Sequence, residues 1–385
     1  MTTREPRGTT EPIGLAVVGC GSIGRIRAVL AREYPAVGWI GLCDVDEGRA
    51  KQLAEDVGAE FYTTDAEALL ARPEVNAVII ATSEVSHASP TLAAVDYGYP
   101  MLIEKPLATD VVESEKVLAA IQAKGIDAVM GYTQRFRRRY ITIHERLRAG
   151  VVGEIDSVIS RGLLNRGIEP GIKRLAPEDR KGWSQMTVNG THTVDLSMWF
   201  MGDKKPAELY SRTADRVLGH HGITNTTLGV VTMEDGTIWS MNMSLGMPFS
   251  WPAIVYGLDI VIIGTDGAIT IDDTHRDVVV ATSEPQQWRM RQANSADTAQ
   301  PYERRVEFLT SYPPGDQAYG QTWGPMREET NSWFARITLG TATPHATAEE
   351  GHRNAVLTAA FDLSAKRGKP LTWPLDLEEL SRRLA

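Results

Sequence analysis

Cysteine is scarce: the 385 residues contain two, Cys20 and Cys43, which excludes a disulfide scaffold and a paired-cysteine metal site. Each closes a predicted apolar strand, where a reduced thiol packs as a small apolar side chain. No run is long and apolar enough to span a bilayer, and the opening stretch Met1 to Pro12 lacks the apolar segment of a secretion signal. A cytosolic protein with a flexible tail over residues 1–12 is expected. Basic excess is missing too. Lys and Arg number 40 against 49 Asp and Glu, and the net charge of -9 repels nucleic acid and anionic membranes. No H-E-x-x-H, P-loop or G-x-S-x-G occurs, and His220-His221 reads as a loop pair, so no metal is expected. Repeats and low-complexity tracts are absent.

What is present is an ordinary globular composition, 42% hydrophobic and 23% charged, on a chain longer than one core sustains. The spacing of apolar residues predicts strand then helix, repeatedly. Strands are expected at Gly14 to Gly19, Trp39 to Cys43, Ala77 to Ala81, Met101 to Ile103 and Ala128 to Gly131. Helices are expected at Ile23 to Glu33, Glu47 to Val57, Ser89 to Tyr97 and Val111 to Ala123. Continuous apolar strands between amphipathic helices form a parallel sheet covered on both faces, a doubly wound Rossmann domain over residues 13–134. Later the period becomes two. Trp239, Met241, Met243 and Leu245 alternate with polar neighbours in Thr237 to Leu245, and Asp235-Gly236 turns the chain back from Leu228 to Thr232. Asp266-Gly267 does the same between Ile260 to Gly264 and Ala268 to Asp272. Residues 135–385 therefore read as an α+β domain with a large, mostly antiparallel open sheet. Its helices are expected at Thr191 to Met201, Pro325 to Ile337 and Ala348 to Lys366, and the polar stretch Ser283 to Tyr302 reads as a loop.

Gly19-Cys20-Gly21-Ser22-Ile23-Gly24 lies between the first strand and its helix. Glycines there permit a tight turn, and the helix N-terminus offers N–H groups to a pyrophosphate. Asp44 ends the second strand, 20 residues on, where a carboxylate accepts ribose hydroxyls and repels a 2′-phosphate. The cofactor is expected to be NAD rather than NADP. Thr82, Ser83 and His87 follow another strand and should line the same cleft, because ligands in such sheets bind outside the strand carboxyl ends.

Glu104-Lys105-Pro106 after Met101 to Ile103 makes the chain resemble the Gfo/Idh/MocA family, the relatives of glucose-fructose oxidoreductase and inositol dehydrogenase. Gly19 to Gly24, Asp44 with Arg49, Ala81-Thr82, His87, Gly131-Tyr132 with Arg135-Phe136, Gly190 and His192 with Asp195, and Ser364 to Pro370 match in order. The resemblance implies an NAD-dependent oxidoreductase with Arg49, Glu104, Lys105 and Arg135 around the cofactor and Tyr132 and Asn189 on the substrate. It further implies Lys105 beside the nicotinamide and His192 opposite it, as well as assembly into a homodimer or homotetramer. Oxidising a secondary alcohol removes a hydroxyl proton as hydride leaves, so a base near neutrality is required. An amine in a partly desolvated, cationic cleft or an imidazole meets that need, which leaves the base open between Lys105 and His192. Lys105-Pro106 is a candidate cis bond. Two departures stand out: Val188 occupies a position where many relatives carry aspartate, and Arg27 one where many carry histidine.

Between Arg161 and Trp183 stand Arg161, Arg166, Lys173, Arg174, Arg180 and Lys181 against Glu169, Glu178 and Asp179. In an acidic protein such a cluster, Lys173 and Arg174 above all, suits an anionic group on the substrate, while a solvated loop is the plainer alternative. Trp183 is suited to stacking on a sugar ring, with a tryptophan that fills the core as the plainer alternative. The expected activity is oxidation of a ring hydroxyl on a small sugar, cyclitol or glycoside. Two alternatives are a glycosidase that borrows and returns hydride through NAD, and a non-catalytic sensor.

Overall fold

The computed structural model describes residues 8–165, 184–248, 257–272, 278–288, 302–309 and 316–384. The chain divides into two compact units that are not consecutive stretches: residues 1–137 with 313–353, and 138–291 with 354–385 and smaller pieces. The sequence reading, by contrast, places everything after residue 134 in the second domain. Among the described residues no helix is long and apolar enough to cross a membrane.

In the first unit β1 (Ile13–Val18), α1 (Ser22–Glu33), β2 (Val37–Cys43), α2 (Glu47–Val57), β3 (Phe61–Thr63), α3 (Ala66–Leu70), β4 (Ala77–Ile80), α4 (Ala88–Tyr97), β5 (Met101–Glu104), α5 (Val111–Lys124) and β6 (Ala128–Gly131) follow in order. The six strands pair in parallel as 3-2-1-4-5-6, with the short strand Ala346–Thr347 antiparallel on the β6 edge. Strand order reverses between β1 and β4, the place where open α/β sheets take ligands. Separate apolar clusters cover the two faces of the sheet, as continuous apolar strands require. Trp333, Phe334 and Ile337 of the late helix Pro325–Leu339 bury with Leu15, Val17 and Ile40, which is why that helix belongs to this unit. Thr9, within the stretch 1–12 expected to be a flexible tail, donates its N–H to the Ile337 carbonyl and is tied to the same helix. β3 and α3 are too short to show a period in the sequence.

The second unit is built on a sheet of β7 (Ile155–Asn165), β8 (Pro206–Ala214), β9 (Thr226–Met233), β10 (Ile238–Met247), β11 (Gly257–Gly264) and β12 (Ala268–Asp272) in the order 12-11-7-10-9-8, with Leu371–Thr372 at the edge. Only β7 and β10 run parallel; the other pairs are antiparallel, including the hairpins turned at Asp235-Gly236 and Asp266-Gly267. Trp239, Met241, Met243 and Leu245 point inward and are buried, while Ile238 points outward and is exposed. One expectation is overturned. Ser283 to Trp288 are not loop but part of β13 (Val278–Trp288), paired with β14 (Tyr302–Leu309) from Val278 opposite Leu309 to Trp288 opposite Tyr302. Backbone bonds to a distant stretch make this ladder, and no local window of polar residues contains that information.

Candidate active site

The first cluster grows from the carboxyl edge of the parallel sheet. Gly19 leaves β1 with φ 102°, a left-handed conformation that glycine adopts freely, and its N–H donates to the Cys43 carbonyl at 2.7 Å. A side chain at Gly24 would place Cβ 1.8 Å from the Gly19 carbonyl oxygen, so the turn closes only without one. Gly21 caps α1 without a side-chain hydrogen bond, and a Cβ built there meets nothing within 4 Å. The first-turn N–H groups of α1, with half-buried Ser22 and Ile23, thus border open space. Asp44, 8% exposed, accepts from the Cys20 N–H at 2.8 Å and from the Asp46 N–H at 2.9 Å. It thereby ties the end of β2 to the glycine turn. Arg49 lies 3.5 Å from Asp44, with its side chain half exposed. Burial, reinforced by Asp44, pushes the thiols up to about 12 at Cys20 and about 11 at Cys43, so both are neutral packing groups.

Thr82, Ser83 and His87 follow β4; Glu104 closes β5, and Lys105 and Pro106 follow it. His87 is buried between the Pro106 carbonyl, 2.7 Å from Nδ1, and the Thr82 carbonyl, 3.2 Å from Nε2. Burial lowers its pKa, although both carbonyl contacts and Glu84 act the other way. The ring braces the Lys105 turn against the end of β4. The Lys105-Pro106 bond is cis, and Lys105 is half-buried. Behind it Arg27, wholly buried, bonds Glu104 Oε1 from Nε (3.0 Å) and Nη2 (2.6 Å), Glu329 Oε2 from Nη2 (2.5 Å) and the Thr330 hydroxyl from Nη1 (2.6 Å). Thr133 also donates to Glu329 Oε2, at 2.8 Å. After β6, Tyr132 is buried, and the buried Arg135 holds Glu350 through two bonds of 3.0 and 3.1 Å. Although burial works to raise it, Arg135 and then Arg353 hold the Glu350 carboxyl below the usual carboxylate range. The structure thus gives Arg135 a structural partner that sequence reasoning did not foresee.

The second cluster lies on the helix Thr191–Met201, every residue of which is buried, and on the π-turn Met186–Gly190 before it. Asn189 and His192 are 5% and 6% exposed. Asp195 accepts from the Asn354 amide at 3.0 Å. Arg383, near the end of the chain, reaches in to Thr187 at 3.3 Å. Lys173, Arg174 and Trp183 lie outside the described residues. Arg161 sits on β7 and pairs with Asp259.

Gly19, Gly21, Ser22, Ile23, Gly24, Asp44, Arg49, Thr82, His87, Glu104 and Lys105 therefore share one edge of one unit. Not read as site residues were Arg27, singled out only as a departure from the family pattern, Glu329, Glu350 and Asn354. For the first two a signal existed: each charge falls within an apolar helical face, Arg27 among Ile26, Leu30 and Ala31, Glu329 among Met326, Trp333 and Phe334.

Residues 13–132 match the family domain described as oxidoreductase family, NAD-binding Rossmann fold, and residues 140–270 match the GFO/IDH/MocA C-terminal domain. The chain belongs to the Gfo/Idh/MocA family. It is 32% identical over 210 residues to an inositol 2-dehydrogenase of Rubrobacter xylanophilus, a match over 54% of this chain and 57% of the relative. It is 26% identical over 267 residues to a scyllo-inositol 2-dehydrogenase (NAD(+)) of Bacillus subtilis, 66% of this chain and 72% of the relative. The crystal structure of scyllo-inositol dehydrogenase from Lactobacillus casei with bound NAD(H) and scyllo-inositol shares the fold, with TM-score 0.73 at 18% identity over 94% of this chain and 99% of that one.

As a Gfo/Idh/MocA protein the chain is expected to hold NAD, and its own residues fit that cofactor. The open cradle at Gly21, the uncapped start of α1 and a carboxylate at Asp44 are the donors and acceptor that a pyrophosphate and a diol require. A 2′-phosphate would face that carboxylate. Val188, the departure from the pattern of many Gfo/Idh/MocA relatives, is buried in the π-turn.

Proposed function

We propose that the protein is an NAD-dependent dehydrogenase that oxidises a ring secondary hydroxyl of a cyclitol or related sugar. The observation that carries this reading is Lys105, set at the end of β5 on the same sheet edge as the glycine turn and Asp44, with Glu104 anchored behind it. The names of the relatives, inositol dehydrogenases, support a cyclitol. Bound NAD supplies the hydride acceptor. The chain's part is to bind and to move one proton: the α1 N-terminus and Asp44 bind the dinucleotide, and Lys105 takes or relays the hydroxyl proton. His192, on its buried helix, is the second acid–base candidate and Asn189 its polar neighbour; Tyr132 lines the substrate. Where the substrate is anionic, Lys173 and Arg174 are its counter-charges, with Trp183 as a stacking surface.

The outward face of the second sheet exposes Ile159, Tyr210, Leu228, Val230, Ile238 and Ile263. Tyr210 lies opposite Val230 in register, and an apolar sheet face of this kind supports self-association as a dimer or tetramer. Reduced, buried thiols and an NAD cofactor support a cytosolic location. The test is incubation with NAD and a panel of neutral and anionic cyclitols, sugars and aryl glycosides, following NADH and released aglycone separately. NADH production supports the dehydrogenase. Aglycone without NADH establishes the redox-neutral glycosidase instead, and tight NAD binding without either product establishes a sensor.

A further inference from the structure

Two carboxyl groups and one guanidinium are shut away directly behind the Lys105 turn, with side-chain exposures of 0% for Arg27, 9% for Glu104 and 0% for Glu329. Such a cluster is costly unless it performs a task, because replacing buried ion pairs by apolar residues is often neutral or stabilising. We propose that Arg27 is a positioning residue for Lys105, acting through the Glu104 carboxylate that it locks at the end of β5, and that Glu329 sets how much of Arg27 that carboxylate receives. This rests on the reading that Lys105 serves the reaction.

Three features carry it. Glu104 closes β5 and Lys105 follows it directly, so fixing the carboxylate fixes the peptide from which Lys105 departs. Arg27 stands on α1, the helix that the glycine turn opens, and its guanidinium ties that helix to the strand end that carries Lys105. Gly131 lies beside Glu104 in register on β6, and a Cβ there would come within 2.8 Å of Glu104 Oε2 and 2.9 Å of its Cδ. The carboxylate is therefore seated in a slot cut for it.

Glu329 competes for the same guanidinium nitrogen as Glu104. The groups facing it are Arg27 from α1, Glu104 from β5, the Thr133 hydroxyl and His345, whose Nε2 lies 3.2 Å from the Glu329 carbonyl. Burial, with Arg27 and Arg336, keeps that imidazole neutral. Arg135 nearby is matched by Glu350. Burial pushes the Glu329 carboxyl up to about 7 against the pull of Arg27, and Glu104 adds to the rise. An acid raised above its unfolded value favours folding below that value, and the contribution is lost as pH rises through the folded pKa. Near neutrality, then, Glu329 changes how much of Arg27 is left to Glu104.

The test compares the full-length wild type with K105A, R27K, E329Q and R27K/E329Q. Turnover is followed with myo-inositol, scyllo-inositol and the panel above, NAD Kd by calorimetry and Tm by scanning, all from pH 5.5 to 8.5. R27K should lower kcat about tenfold while NAD Kd stays within about threefold, since an ammonium is a point charge and cannot fork two carboxylates. Adding E329Q should restore much of that kcat, because the single ammonium then serves Glu104 alone. E329Q by itself should flatten the decline in Tm between pH 5.5 and about 7 and make the wild-type-to-variant kcat ratio change between about pH 6 and 8. A loss of Tm in R27K without loss of kcat, or no recovery in the double variant, overturns the proposal. If R27K does not fold, a kcat ratio for E329Q that is flat with pH overturns it. Wild-type turnover by K105A would sink the reading of Lys105 itself; an inactive K105A with silent R27K and E329Q sinks only the positioning role.

Discussion

The two units offer candidate recognition groups of different kinds. In the first, six parallel strands end on one edge, and the groups suited to a dinucleotide are backbone N–H donors, a glycine turn and one carboxylate, all within a few residues of a strand end. In the second, the candidate substrate groups are side chains on a wholly buried helix and its π-turn, held by partners such as Asn354 and Arg383 from far along the chain. A cofactor read by backbone leaves a local signature; a substrate read by side chains on a packed helix does not.

The strongest way to break this contrast is Gly24→Val, which drives a side chain into the Gly19 carbonyl 1.8 Å from the first Cβ. It should abolish NAD binding in calorimetry and cost about 3 kcal/mol or more in urea unfolding, and retained NAD binding would show that the turn is not the cradle. Lys105→Ala should come next, reducing kcat by roughly 10²- to 10⁴-fold with NAD affinity nearly intact, while His192→Ala should lose less kcat and raise KM. A larger kcat loss at His192 would move the proton chemistry into the second unit.

Asp44→Asn sharpens the comparison at the cofactor. It keeps an acceptor for the Cys20 N–H but removes the charge, so NAD should bind about tenfold more weakly and discrimination against NADP should shrink in parallel titrations. Acid stability should also single out the first unit. Burial holds His345 neutral, with a pKa well below the ordinary value. The stability this contributes is complete above about pH 6.5 and falls with acidification below it, by about 1.4 kcal/mol per pH unit for one proton. His345→Gln should flatten that decline in Tm between pH 6.5 and 5; an unchanged slope would assign the acid limb elsewhere. Last, Val230→Lys on the outward sheet face should leave Tm and NAD affinity almost unchanged yet shift the protein toward monomer in analytical ultracentrifugation. A particle of unaltered mass would remove that face from the assembly.

Much of the first unit was legible because each element carries its own period. Strands β1, β2, β4, β5 and β6 and helices α1, α2, α4 and α5 stand within a few residues of where apolar spacing put them. That the candidate residues between Gly19 and Lys105 would stand at strand ends of one sheet was legible for the same reason. Less could be read elsewhere. β7 escaped notice because Arg161 and its neighbours look like a charged loop, yet strand pairing with β10 and β11 makes Arg161 an outward side chain beside Asp259. The helix Pro325–Leu339 was visible as a helix, but its apolar face does not say which sheet it covers.

Local chemistry alone determined the strand-turn-helix start, the acid after β2, the Glu104-Lys105 pair at the end of β5 and the hairpins at Asp235-Gly236 and Asp266-Gly267, since each needs only neighbouring residues and the backbone angles they allow. Packing decided the rest: that β13 is a strand, that Arg135 spends its guanidinium on Glu350, and that Arg27 gathers Glu104 and Glu329 from 77 and 302 residues away. Those contacts exist because burying a charge demands a partner, and which partner arrives depends on how distant segments fold together.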